Sequence, residues 1–168
     1  MKKNISGFSL IELLLVVVII GIIAAIAVPN LMASRRSANE GSTVSSLRLL
    51  HEAQMTYATS YGKGEYAGDV GAGTLTMFST FTSLSLVDGV IGSGTKAGYN
   101  FVAGREASSA GAAAQFFISA IPVSSNSVVG TGNHRFGVST DGVIRQDVTL
   151  GAQYLNTADV ITAPAMGN

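Results

Sequence analysis

Residues 7–30 read GFSLIELLLVVVIIGIIAAIAVPN, and how that stretch is read decides the rest of the chain. From Phe8 to Val28 there are 21 residues without Lys, Arg, Asp or His, and Ser9 and Glu12 are its polar side chains. As a helix the run would reach roughly 30 Å, the thickness of a bilayer's hydrocarbon core. It is a membrane-spanning segment by length and composition. A carboxylate at the centre of such a segment costs about 2.5 to 3.5 kcal/mol, but Glu12 lies near one end, where snorkelling lowers that cost. The charge is tolerable there, and it calls for a partner.

Outward toward the N-terminus, a basic start followed by an apolar core also describes a secretory signal peptide. The details differ. A secretory core has about 7 to 15 apolar residues and ends in a small-x-small cleavage site, whereas this run is longer and ends in Val28-Pro29-Asn30. The small residue that follows the basic Lys2-Lys3 is Gly7, ahead of the apolar run. Cleavage at Gly7 would leave the hydrophobic segment on the mature protein.

At 168 residues the chain suits one head domain of about 140 residues beyond the membrane segment. Ten Lys and Arg balance ten Asp and Glu, and loss of the first seven residues would leave eight against ten. That balance, with Lys63, Lys96, Arg105 and Arg135 scattered, argues against nucleic acid as a partner of the bulk subunit. Charged residues are 12% of the chain, against about 25% in typical soluble domains. So weakly charged a surface suits close packing against copies of itself or a modified exterior. No cysteine is present, which excludes CxxC metal and redox sites.

Outward toward the C-terminus, Val44, Leu47, Leu50, Ala53, Tyr57, Ala58 and Tyr61 recur at spacings of three and four, the mark of an amphipathic helix. One helix from Phe8 to Tyr61 would hold 54 residues and reach roughly 80 Å. Gly62 and Gly64 are its stop signals. Pro29 lacks an N–H and predicts a kink or local melting, with Gly21 a second weak point. Residues 62–97 read as a loop carrying a short helix over 76–86, with Met77, Phe78, Phe81 and Leu84 on one side. Strands are predicted over 98–104, 114–123, 134–140 and 142–147. Asp141-Gly142 predicts a hairpin with a type I′ turn. The expected fold is α+β: a long N-terminal helix, half membrane-spanning and half amphipathic, packed on a small antiparallel four-stranded sheet. Its divisions are 1–7 leader, 8–29 membrane and polymerisation helix, 30–61 amphipathic helix, 62–97 loop, 98–147 sheet and 148–168 an irregular tail.

Lys2-Lys3, then Gly7, then Phe8-Ser9-Leu10-Ile11-Glu12, then about twenty apolar residues closing at Pro29, resemble the class III signal of type IV pilins and type II secretion pseudopilins. The likeness is close over residues 1 to about 31, and it is most like a major type IV pilin. The resemblance implies that a prepilin peptidase of the inner membrane cuts between Gly7 and Phe8 and N-methylates Phe8. Gly7 offers that enzyme an unhindered backbone, and Lys2 and Lys3 hold the leader in the cytoplasm. The new Phe8 amine and Glu12 stand four residues apart, on one helical face. In related filaments the glutamate pairs with the Phe amine of a neighbouring subunit and sets axial register, which offsets the burial of a lone carboxylate. Gly21 and Pro29 would let the segment bend during assembly.

The resemblance further implies a homopolymer as the main partner, along with the peptidase, the pilus assembly machinery and, before assembly, the inner membrane. The expected end point is a surface pilus serving adhesion or motility, with no enzyme activity and no cofactor, metal or catalytic residue. A pseudopilin of a type II secretion system is one alternative. Others are a minor pilin presenting a ligand- or DNA-binding tip, and a membrane-anchored domain that never assembles. Arg35 and Arg36 run against the charge asymmetry of such a membrane protein, and Glu40 is placed to neutralise one of them. His51 and His134 are the chain's two histidines and no Cys or close Asp/Glu cluster accompanies them, so neither reads as a metal ligand. Asp141 and Asp147 invite a calcium reading, but the turn explains Asp141 better.

Overall fold

Helix α1 (Leu10–Ser60) is 51 residues long. It belongs to a computed structural model that describes residues 8–71, 73–126 and 129–167. Lys2, Lys3 and Gly7 lie outside the described residues. The chain divides into two units, Met1–Ser34 and Arg35–Asn168. In the first unit no side chain from Phe8 to Leu31 is buried; Leu15 is 59% exposed, Ile22 59% and Val28 51%. The helical run continues through Gly21 and Pro29, so the melting expected there is absent from this state. Asn30 donates its side-chain amide to the Ile26 carbonyl at 3.2 Å, one turn back.

In the second unit, α1 buries Thr43, Val44, Ser46, Leu47, Leu50, Ala53, Gln54 and Ala58, a stripe at helical spacing. Thr43 and Ser46 remain satisfied in the core by donating to the Asn39 and Ser42 carbonyls at 2.9 Å each. Gln54, wholly buried, pairs with one backbone unit: it donates to the Ala67 carbonyl and accepts the Ala67 N–H, both at 2.9 Å. The connection from α1 carries α2 (Thr76–Ser83) and the four-residue α3 (Gly89–Gly92), whose cap is Asp88. Met77, Phe78, Phe81 and Ile91 from these helices join Leu47 and Leu50 in the main core.

The sheet has five strands, not the four expected: β1 (Thr95–Lys96), β2 (Tyr99–Glu106), β3 (Gln115–Pro122), β4 (Arg135–Ser139) and β5 (Ile144–Asp147). They form an antiparallel meander in sequence order. β1 escapes a reading by alternation because two residues have no period. Its turn is nevertheless the one with positive φ at both central residues, Ala97 (φ 49°) and Gly98 (φ 72°), between the paired Lys96 and Tyr99. The β4–β5 hairpin forms where Asp141-Gly142 predicted it, with a different turn. Gly142 N–H donates to the Ser139 carbonyl at 2.9 Å, and of the Asp141-Gly142 pair only Gly142 has positive φ (72°). That geometry places Thr140 and Asp141 at the turn's centre, followed by a left-handed glycine.

One sheet face, with Phe101, Phe116, Ile118, Phe136 and Val138, meets the amphipathic stretch of α1. The other is covered by the C-terminal tail, which is not irregular throughout: it forms α4 (Thr157–Thr162) and buries Tyr154 and Val160 against Phe117. Six residues are too few for a helical period to show. The legible signal was the cap, Asn156 accepting the Asp159 N–H at 2.7 Å. Gly137 makes the tail's fit possible, since a Cβ there would lie 2.8 Å from the Tyr154 ring. The tail is also bonded in place. Tyr154 N–H donates to the buried Ser119 hydroxyl at 2.9 Å, and the Tyr154 hydroxyl to Asp147 at 3.1 Å. Arg135 binds the same Asp147 oxygen at 2.6 Å and lies 4.0 Å over the Tyr154 ring.

Burial works to raise the Asp147 carboxyl, but the Arg135 hydrogen bonds, the Thr149 N–H and the Tyr154 hydroxyl outweigh it and hold the group below its ordinary value of 3.8. Burial first, and the Asp147 charge second, push the Tyr154 phenol up to about 12. A carboxyl depressed in the folded state contributes stability above its unfolded value and loses it as the pH falls through the folded one. Thermal melting should therefore drop on acidification below about pH 4. In Asp147→Asn the melting temperature at neutral pH should already be lower, and the acid-side drop correspondingly smaller. An unchanged acid profile in that variant would remove Asp147 from the account. Gly137→Ala should destabilise the fold by about 1 to 3 kcal/mol in chemical denaturation, through overpacking against Tyr154.

Candidate functional site

The carboxylate in the apolar segment is placed by the start of α1. Ser9 stands just before the first helical residue, and its N–H donates to the Glu12 carboxylate at 2.9 Å. The Glu12 and Leu13 N–H groups in turn donate to the Ser9 carbonyl at 3.1 and 3.2 Å. This is half of a capping box, in which a glutamate at the third helical position reaches back to the cap residue. Its signal, Ser-x-x-Glu ahead of an apolar run, stands in the sequence as Ser9-Leu10-Ile11-Glu12 and was not read there as a cap. A negative side chain in the first turn also complements the positive end of the helix dipole.

The cap leaves capacity unused. Among the described residues, one Glu12 oxygen holds the Ser9 N–H and the other holds nothing. A carboxylate can accept several hydrogen bonds, and a cationic amine is the strongest donor for the vacant oxygen. Phe8, whose amine would be such a donor after cleavage, is 76% exposed. Around this charge Leu10, Leu13, Leu14 and Val17 present an open apolar face. A Cβ added at Gly21 would meet nothing within 4 Å, so no contact within the chain requires glycine there.

Glu40, Asp141 and Asp147 from the sequence reading have ordinary structural partners. Glu40 does not turn to the arginines: it accepts the Asn133 N–H at 2.6 Å and lies 3.3 Å from His134 Nδ1. Asn39 adds a bond to the Thr131 carbonyl at 2.9 Å, so this stretch of α1 is latched to residues 131–134. The His51 ring packs on Phe116 with centroids 5.5 Å apart, and its Nε2 is buried without a hydrogen-bond partner. Asp141 is taken by Arg145 at 2.7 Å and by the turn, and Asp147 by Arg135 and Tyr154. Among the described residues no three His, Cys, Asp or Glu come together in a group able to hold a metal ion.

A family model described as a prokaryotic N-terminal methylation motif matches residues 2–28. The chain is similar to the type IV wide pilus major component PilA4 of Thermus thermophilus, 55% identical over 38 residues, covering 23% of this chain and 29% of that protein. It is similar to the type II secretion system core protein G of Aeromonas hydrophila, 41% identical over 56 residues, covering 33% and 39%. A third relative is the type IV major pilin protein PilA of Myxococcus xanthus, 36% identical over 66 residues, covering 39% and 30%. The matches thus span about a third of the length of these relatives. No solved structure matches the chain.

Because a Cβ at position 21 meets open space within the chain, Gly21→Ala should raise the helicity and thermal stability of the isolated subunit, by about 1 kcal/mol for an exposed helix site. Circular dichroism of the detergent-solubilised chain checks this. A loss of helicity would mean that the glycine is needed by the subunit itself.

Proposed function

We propose that this chain, which carries the N-terminal methylation motif of the type IV pilin and pseudopilin family, is a structural subunit of a type IV pilus filament. The observation that carries the reading is an apolar helical segment exposed on every side, with a single carboxylate one turn after Phe8. Such a surface is stable only in lipid or against other apolar helices. Both environments belong to one life history: the segment spans the inner membrane first, then packs against copies of itself as the subunit joins the filament.

In this reading a prepilin peptidase cleaves between Gly7 and Phe8 and methylates the exposed amine. The released ammonium supplies the donor that the vacant Glu12 oxygen lacks, from the same chain or from a neighbour. An uncompensated carboxylate among packed apolar helices would be strongly unfavourable, so only arrangements that bring an amine to each Glu12 are populated. The pairing thereby fixes axial register. Gly21 and Pro29 supply the places where the helix can loosen on leaving the bilayer. Adhesion and motility are the activities that such a filament would serve, and the subunit performs no catalysis.

The similarity to type II secretion core protein G supports a second reading, a pseudopilin of a periplasmic secretion piston. Mass spectrometry of filaments sheared from the cell surface separates the two. Abundant chain beginning at methylated Phe8 is expected for the pilus subunit. Recovery from membranes alone would favour the piston, and recovery uncut would sink both. Glu12→Ala should be cleaved and methylated normally yet yield at least tenfold fewer filaments, on the scale of losing one buried charge pair. Normal filament yield from that variant would end the register argument.

A further inference from the structure

Arg35 and Arg36 follow the apolar segment closely and have no place in the charge asymmetry that orients membrane helices. Glu40, the nearest acidic side chain along the helix, is occupied by the Asn133 N–H and His134. Arg36 directs one guanidinium nitrogen to the Asn133 side chain at 3.2 Å. Arg35 is exposed, and among the described residues its guanidinium makes no hydrogen bond or ion pair. An exposed arginine left uncommitted at this point in the chain is available to an anion from outside it.

Its position says which anion. Val28 ends the apolar run, and seven residue steps of α1 carry the chain to Arg35, about 10 Å along the helix. Beyond the hydrocarbon core each headgroup layer is about 5 to 8 Å deep. When residues 8–28 span a bilayer, the long Arg35 side chain, which a helix directs back toward its N-terminus, therefore comes within reach of the headgroup layer. A guanidinium binds phosphate oxygens in a two-pronged fashion and is weakly hydrated, so it enters that layer readily. We propose that Arg35, supported by the charge of Arg36, binds the phosphate of an anionic phospholipid headgroup during the membrane stage of the subunit. The contact holds the subunit at a fixed depth before it leaves the bilayer. It rests on the proposed membrane stage and adds a ligand to it.

The test uses the full chain and two lipids. Flotation with vesicles of phosphatidylcholine, with and without phosphatidylglycerol, measures insertion. Native mass spectrometry of the chain released from micelles containing both lipids counts which lipid stays bound. Phosphatidylglycerol should be retained over phosphatidylcholine, and Arg35→Gln should reduce that preference about fivefold, the share of one cation at an anionic surface. Arg35→Lys should keep most of it. Arg48→Gln, which removes an exposed arginine farther along α1, should leave it unchanged. Circular dichroism of Arg35→Gln should match the parent, since among the described residues the side chain makes no hydrogen bond or ion pair.

Equal retention of the two lipids by the parent chain overturns the proposal, as does an equal loss in Arg48→Gln, which would mark a general charge effect. Loss of self-association in Arg35→Gln with lipid retention intact would assign the guanidinium to a second copy instead. If the chain does not float with either vesicle, the membrane stage itself falls and the headgroup contact with it. If it floats without preferring phosphatidylglycerol, only the headgroup contact falls.

Discussion

Everything about this chain depends on an apolar surface that it does not cover itself. Between Phe8 and Leu31 the side chains project from a helix in all directions, and none is buried. Apolar area left in water is unfavourable at about 25 cal/mol per Å², so a segment with this many exposed Leu, Ile and Val side chains exists in lipid or in an assembly. The rest of the molecule reads as consistent with that constraint. Its charge is sparse and balanced, and its second unit is closed over its own core.

The lone carboxylate gains its meaning from the same constraint. In water Glu12 would be an ordinary helix cap, worth about 1 kcal/mol through its bond to the Ser9 N–H. In lipid or among helices the same bond satisfies only part of the group, and the remainder sets a demand that grows as water is excluded. In the proposed filament, a cap that is sufficient for the isolated helix and insufficient for the packed one would make assembly depend on a donor from elsewhere. Under the proposed cleavage after Gly7, the Phe8 amine would be the donor in reach by sequence.

The apolar run, the amphipathic stretch after it and four of the strands were legible because each repeats a period over several residues. Leu47 and Leu50, on the amphipathic stripe by spacing alone, accordingly lie in the core. What escaped was short or depended on contacts distant in sequence. β1 has two residues, α4 has six, and the fit of Tyr154 over Gly137 joins positions far apart in the chain. Asp141-Gly142 gave the hairpin but not its turn, because Asp141 is bonded by Ser139, Val143 and Arg145 in a conformation with φ below zero. At the site, Glu12 was legible as an anomaly of composition. Its bond to Ser9 carries the four-residue signature Ser9-Leu10-Ile11-Glu12, which is short and stands beside a far stronger apolar signal.

The sheet bears on how copies could associate. An open sheet edge is a template for strand addition, which joins subunits through backbone bonds with little selectivity. Here both edges are occupied. Beyond the two-residue β1, the free side of β2 is bridged by Val70 and Thr74. On the other side, the β5 backbone bonds Pro164 and Met166 of the tail, at 3.0 and 2.9 Å. The faces are covered as well, one by α1 and the other by Tyr154 and α4. With strand addition closed off, association between copies falls to side-chain surfaces, and the largest apolar one is the N-terminal helix. In the proposed filament, the selectivity that a helix of Leu, Ile and Val lacks by itself would come from Glu12, the one charged residue within the apolar run.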